Sequence, residues 1–379
     1  MTVWKLSRGP SLPAGISRRD YEIARQRLGR TKQTPPDHGE ILFELGERLA
    51  ERKRTEDARA CYLGIEEDHF EYGNRARLLA GILSLELNQA RVAETLFRKF
   101  LEARPAGGPV SLSDQATALD WLIYLDSVEL RFEDRRRLLK QLHQLGLQRV
   151  SDSKMYYFPS LLIWNSTRAS HRLEEFLSAT PDDRVLLTAQ GRYLMASGQI
   201  QEAIDLLTRL HAAFSNEPEI QAALVESLYE QDDWKEISKV FAAASPTNSD
   251  SWLLSLMRGE FSIHERRYSD AVTHFERVIG DDPANITAWM GLLKVRQQNG
   301  SGEADDSLPL KIRVLAEIRP ALSRVQEDDA DACEWLAEQC RRIDLTEAAT
   351  TFQAHSARIR QSRELNSNPQ ERAAGGQLE

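Results

Sequence analysis

No run of about 18 or more apolar residues occurs in the chain, which excludes an ordinary membrane-spanning helix. Cysteine is scarce. Cys61, Cys333 and Cys340 make an odd count among 379 residues, which suits a reducing compartment better than a disulfide framework. A basic excess is missing too, because 49 Lys and Arg stand against 58 Asp and Glu for a net charge of −9. A protein that neutralises a phosphate backbone needs the opposite balance, so nucleic acid is not an expected partner. With 20 Gly and 14 Pro the chain is not collagen-like, and 41% hydrophobic with 28% charged residues excludes wholesale disorder. The first residues, Met1 to Pro36, are basic but have no apolar core of the kind a secretory signal needs. Cytoplasm is therefore the expected compartment, unless the true start lies upstream.

The sequence also lacks GxxxxGK, GxGxxG, HExxH, CxxC and GxSxG, and with them most motif-bearing enzyme classes. His264 and His274 fall on different helices of one repeat and read as surface histidines rather than a metal pair. Cys333 and Cys340 lie seven apart on one helix face, at positions that suit buried inert thiols. Gly300-Ser301-Gly302 lacks the Lys and the preceding strand of a phosphate loop and reads as a flexible insertion. Glu66-Glu67, Asp232-Asp233 and Asp281-Asp282 fall at turns or helix ends, where acids are common. Asn165-Ser166-Thr167 is a glycosylation sequon that stays unmodified without export. No catalytic residue, metal or cofactor is expected.

What the chain does have is a period. Gly191 to Pro218 reads as a helix, a tight turn at Ser197-Gly198-Gln199, and a second helix. Sliding by 34 carries Ala203, Leu207 and Leu210 onto Ile237, Phe241 and Ala244, and then onto Ala271, Phe275 and Val278. In the other direction it gives Ala169, Leu173 and Phe176, then Arg135, Leu139 and Leu142. Upstream of an insert at Ala106 to Ser113, the same spacing recurs at Gly81, Ala93, Phe97 and Phe100, and before that at Gly46, Ala58, Tyr62 and Ile65.

This pattern resembles the tetratricopeptide repeat: Leu-Gly on a first helix A (Leu45-Gly46), then Ala, an aromatic and an apolar residue on helix B (Ala58, Tyr62, Ile65), with Phe70 where the family has Pro. The resemblance implies an all-α fold, a right-handed superhelix or α-solenoid of stacked helix-turn-helix pairs. Gly46, Gly81, Gly191 and Gly259 let helix A approach helix B closely while the large residues fill the space opposite. Three positions depart from the pattern: Arg77 on helix A of the second repeat, Arg135 on helix B of the third, and Tyr156-Tyr157-Phe158-Pro159 in the fourth, where Pro159 is expected to kink the helix.

The organisation expected is an N-terminal segment 1–36 with a capping helix Arg18 to Arg30, then two repeats over 37–105. Repeats three to seven and helix A of an eighth follow over 114–298. Irregular helices and a degenerate capping pair fill 299–364, including a helix Leu310 to Val325 and a charged helix Thr350 to Glu364, and a disordered tail occupies 365–379.

In this family helix A lines the inner groove. Carrying that over gives Phe43, Glu47, Leu78, Ile82, Tyr124, Lys154, Phe158, Arg192, Met195, Glu226, Tyr229, Glu260 and Lys294 as groove candidates. The middle set, Tyr124, Phe158, Arg192, Met195, Glu226 and Tyr229, includes the aromatic, Met and Arg types enriched at binding surfaces. Arg192 is expected to pair an acidic group of a partner; the alternative for each aromatic is packing between neighbouring helices. The family's Lys and Asn clamp for a C-terminal carboxylate is absent, since Phe43, Glu47, Leu78 and Ile82 occupy its positions. The expectation is a non-catalytic scaffold that binds a protein segment or partner helix in its groove. Self-assembly or a role as a subunit of a multiprotein complex, less readily of an enzyme, are the alternatives.

Overall fold

The structure, a computed structural model, describes residues 12–31, 35–102, 110–161, 167–243, 251–298 and 307–367. It is an all-α solenoid, with no strand among the described residues. Two compact units divide the chain: Met1–Val128 with His171–Asp183, and Glu129–Ser170 with Arg184–Glu379.

The first unit holds α1 (Arg18–Thr31), α2 (His38–Glu51), α3 (Thr55–Leu63), α4 (Gly73–Glu86), α5 (Ala90–Leu101), α6 (Leu112–Val128) and most of α9 (Thr167–Ala179). The second holds α7 (Phe132–Gln144), α8 (Val150–Tyr157), α10 (Arg184–Ala196), α11 (Ile200–Ala213), α12 (Pro218–Glu230) and α13 (Trp234–Ala243). It continues with α14 (Trp252–His264), α15 (Tyr268–Asp281), α16 (Ile286–Gln298), α17 (Ser307–Leu322), α18 (Ala330–Arg342) and α19 (Thr346–Ser367).

The turn between helices A and B repeats one backbone device. Lys53, Asn88, Gly198, Asp232, Arg266 and Asp344 have φ between 58° and 83°, and the amide one residue on bonds the carbonyl five residues back at 2.8–3.0 Å. This is the Schellman closure, which satisfies carbonyls that a helix end otherwise leaves open. It also reverses the chain so that helix B lies back along helix A. Tight packing follows: a Cβ on Gly46, Gly81, Gly191 or Gly259 would stand 2.6–2.7 Å from Tyr62, Phe97, Leu207 or Phe275, each sixteen residues downstream. Ala58, Ala93, Ala203 and Ala271, on the facing helices B, are fully buried.

The departures from the pattern have local explanations. Arg77 is buried but reaches out of the core, bonding the Glu67 carbonyl at 3.3 Å and pairing the Glu67 carboxylate at 3.5 Å. Arg135 is fully buried with its guanidinium over the Phe132 ring at 5.2 Å. At Pro159 the helix ends rather than kinks. Phe158 leaves helical geometry at φ −131°, as the residue before a proline must, and α8 is left with eight residues.

This short helix is closed over by the C-terminal helices. Val150, Phe158 and Leu161 share an apolar cluster with Val314, Leu315 and Ile318 of α17, Cys333 and Leu336 of α18, and Phe352 of α19. The N-terminal amides of Val150 and Ser151 each donate to the Glu327 carboxylate at 2.8 Å. Ser153 Oγ lies 2.8 Å from His355 Nε2, and Tyr157 Oη lies 2.9 Å from Thr351 Oγ1.

The expected helix Leu310 to Val325 is α17, starting earlier and ending at Leu322, with Pro320 in its last turn. The expected end helix is α19, which begins at Thr346 and takes in the first residues assigned to a tail, through Ser367. The rest of that tail, Gly300-Ser301-Gly302, Asn165 and Ser166 of the sequon, and the first half of the Ala106 to Ser113 insert lie outside the described residues.

Candidate binding site

Four helices A of the second unit, α10, α12, α14 and α16, carry Arg192, Glu226, Glu260 and Lys294 at one repeat position, 34 residues apart. Lys294 Nζ is 3.6 Å from the buried Glu260 carboxylate, which also takes the Tyr229 hydroxyl as a hydrogen-bond partner. Charge is thus balanced at one end of the row.

At the other end lies a cavity of about 300 Å³, walled by Leu130, Phe132, Pro159 and Ser160 together with residues of α10, α12 and α14 and the start of α16. Arg192, Met195 and Glu226 all line it. The apolar wall is built from Met195, Trp252, Leu253, Leu256 and Ile286, and Trp252 meets Phe132 at 6.2 Å between ring centroids. The Trp252 amide, at the first turn of α14, donates to Glu133 Oε1 at 2.8 Å, which fixes the indole's backbone.

Arg192 is 4% exposed and already committed. Its Nη2 donates to Glu219 Oε2 at 2.8 Å, its Nη1 to the Leu130 carbonyl at 3.0 Å, and its guanidinium sits over the Phe132 ring at 5.8 Å. The remaining Nε has no hydrogen-bond partner and is shut off from solvent. Arg192 therefore holds the cavity wall together. The expectation that it reaches out to a partner's acid is corrected by the charge it finds on Glu219.

Glu226 differs in every respect. It makes no hydrogen bond or ion pair among the described residues, yet its oxygens are absent from the sealed, unpartnered atoms of the protein, so they keep accessible surface. Burial raises its pKa above the ordinary carboxylate value; Arg192 opposes that shift, while Glu230 and Glu219 add to it. Glu226 is half-buried, and its carboxylate lines the cavity together with apolar side chains, which is the burial that raises its pKa.

The other candidates are placed as follows. Phe158 is fully buried against Phe352, with centroids 5.9 Å apart, so it offers nothing to a partner and its expected contact role is corrected to packing. Lys154 is spent on the Leu322 and Val325 carbonyls at 3.1 and 2.7 Å, closing the end of α17. Tyr229 is half-buried and meets Trp234 edge-on at 5.4 Å. Tyr124 is 38% exposed on α6 of the first unit, edge-on to Trp121 at 5.8 Å. In that unit Phe43 stacks on Tyr72 at 4.5 Å, Leu78 is buried, Ile82 is half-buried and Glu47 is exposed.

Sequence reasoning missed Trp252, Leu253, Ile286 and Thr287. Their signal was present, since Trp252 with Ile286 and Leu253 with Thr287 are again 34 apart. They occupy the first turn of helix A, whereas only its middle had been mapped to the groove. His264, weighed as a metal ligand, stacks on Trp234 at 4.3 Å. Burial pushes the Cys61, Cys333 and Cys340 thiols up to about 12, 11 and 12, leaving them protonated and unreactive. No described helix is long and apolar enough to cross a membrane.

Residues 194–257 match a family model described as tetratricopeptide repeat. No curated protein matches the chain. Among solved structures, the Cut9-Hcn1 hetero-tetramer of the APC/C aligns at 12% identity and TM-score 0.38, covering 90% of this chain and 71% of that one. Pseudomonas aeruginosa pilF aligns at 13% identity and TM-score 0.30, covering 73% and 99%. The human IFIT1 dimer with m7Gppp-AAAA aligns at 11% identity and TM-score 0.37, covering 92% and 96%.

Proposed function

We propose that this chain, a member of the tetratricopeptide repeat family, is a non-catalytic scaffold that binds a segment of a partner protein across α10, α12, α14 and α16, seating one side chain in the cavity. The observation that carries the reading is the cavity itself: apolar walls around few polar groups, at the small end of the volumes that ligand sites occupy. That volume suits a side chain of an extended segment better than a whole partner helix. Helices packed as closely as Gly191 on Leu207 and as Gly259 and Gly291 on Phe275 lose little freedom on binding, which favours affinity.

The test is affinity capture from native lysate with the intact chain beside Met195→Asp and Ile286→Asp, both in the cavity wall. Retained proteins are identified by mass spectrometry, and helicity is checked by circular dichroism. A protein held by the intact chain and lost by both folded variants supports the site. Identical sets on all three would move binding to another surface.

A further inference from the structure

We infer that the cavity selects a cationic side chain, Arg or Lys, from an otherwise apolar partner segment, with Glu226 as its counter-ion. The inference rests on the cavity being the binding site and adds what that site recognises.

The argument is one of charge already spent and charge still open. Arg192, the cation at the cavity, is already paired with Glu219 and bonded to the Leu130 carbonyl, with its Nε sealed, so its charge is compensated before any ligand arrives. Glu226 is the reverse, an accessible carboxylate with no hydrogen bond, lining the same cavity as Met195, Trp252 and Leu256. With Arg192 compensated by Glu219, Glu226 on the cavity wall has no counter-ion of its own, and the nearby Glu230 adds to the negative potential there. An ammonium or guanidinium group supplies the donors and the charge that Glu226 lacks, in surroundings where a charge-assisted bond is stronger than in water. The apolar walls in turn accept the methylene stem that Lys and Arg bring with their charged head. The same geometry disfavours an acidic segment, which would set a second carboxylate beside Glu226.

The experiment titrates four peptides, acetyl-Leu-Xaa-Phe-amide with Xaa as Arg, Lys, citrulline or Glu, into the full chain and into Glu226→Gln, followed by isothermal titration calorimetry. The Arg and Lys peptides are expected to bind about tenfold or more tighter than citrulline, as a charge-assisted bond implies. In Glu226→Gln that gap should close while the citrulline peptide binds as before. Equal binding of Arg and citrulline to the intact chain, or tighter binding of the Glu peptide, would overturn the charge preference and leave the cavity standing as an apolar site. No saturable binding by any of the four would remove the site itself. The Arg-to-citrulline comparison uses only the intact chain, so it decides the question even if Glu226→Gln does not fold.

Discussion

Gly259 faces Phe275 so closely that a Cβ would stand 2.6 Å from the ring. The ring cannot retreat, because Gly291 of the next helix A presses it from the other side, where a Cβ would come within 2.4 Å. Gly259→Ala is therefore expected to destabilise by about 1–3 kcal/mol through overpacking, although alanine is the better helix former. Gly280→Ala, with open space around it, should instead gain up to about 1 kcal/mol. Urea unfolding of both variants measures the contrast, and a stabilised Gly259→Ala would refute the close-approach account.

Gly198 tests the turn device alone. Its φ is 83° and no atom lies within 4 Å of a Cβ placed on it, so a substitution meets only backbone strain. Gly198→Ala should cost about 1–2 kcal/mol, the penalty of a left-handed conformation for a residue with a side chain. Arg266→Gly, at the same turn position two repeats on, should move the midpoint in the opposite direction.

Glu327 ties the C-terminal helices to α8 by accepting from the amides of Val150 and Ser151. Burial pushes its carboxyl up, but bonds from the Ser151 hydroxyl, the two amides and the charge of Arg149 outweigh that and leave its pKa below the ordinary value. Glu327→Ala should cost about 0.5–2 kcal/mol, as loss of a helix cap does. Hydrogen exchange should quicken at Val150 and Ser151 first; unchanged protection there would mean the contact contributes nothing.

His355 gives this junction a pH dependence. Burial pushes its imidazole down to about 4, helped by Arg358 and His143 and opposed by Glu327 and Asp152, so the folded chain keeps it neutral where the unfolded chain protonates near 6.5. Between those values the unfolded state holds the extra proton, and stability rises with pH. The contribution is full above the unfolded value and is lost as pH falls toward about 4. Urea midpoints from pH 7 to 4.5 should decline more steeply for the intact chain than for His355→Asn; parallel slopes would assign the effect to other groups.

Much of this was written in the period of the sequence. Gly46, Gly81, Gly191 and Gly259 announced the helix A to helix B contacts because a missing side chain and a large one sixteen residues later can serve only one another. Arg192 and Glu226 were placed on the right helices, but which of them was free depended on Glu219 and Leu130, and no spacing encodes those bonds. Phe158 misled for a related reason: its register position points it inward, and what covers it comes from α19, far along the chain. Periodicity reports neighbours in the array. It is silent on contacts made outside the period.

That last contact limits how the array can grow. In an ordinary solenoid each repeat touches only the next, so copies can be gained or dropped without disturbing distant ones. Here Ser153 and His355, 202 residues apart, must meet. The contact acts as a ruler: removing α12 and α13, one whole 34-residue unit, would draw α19 out of reach of α8 and uncover Phe158. The second unit of this chain is therefore a solenoid of fixed length, one that duplication could not extend without unfastening its own end.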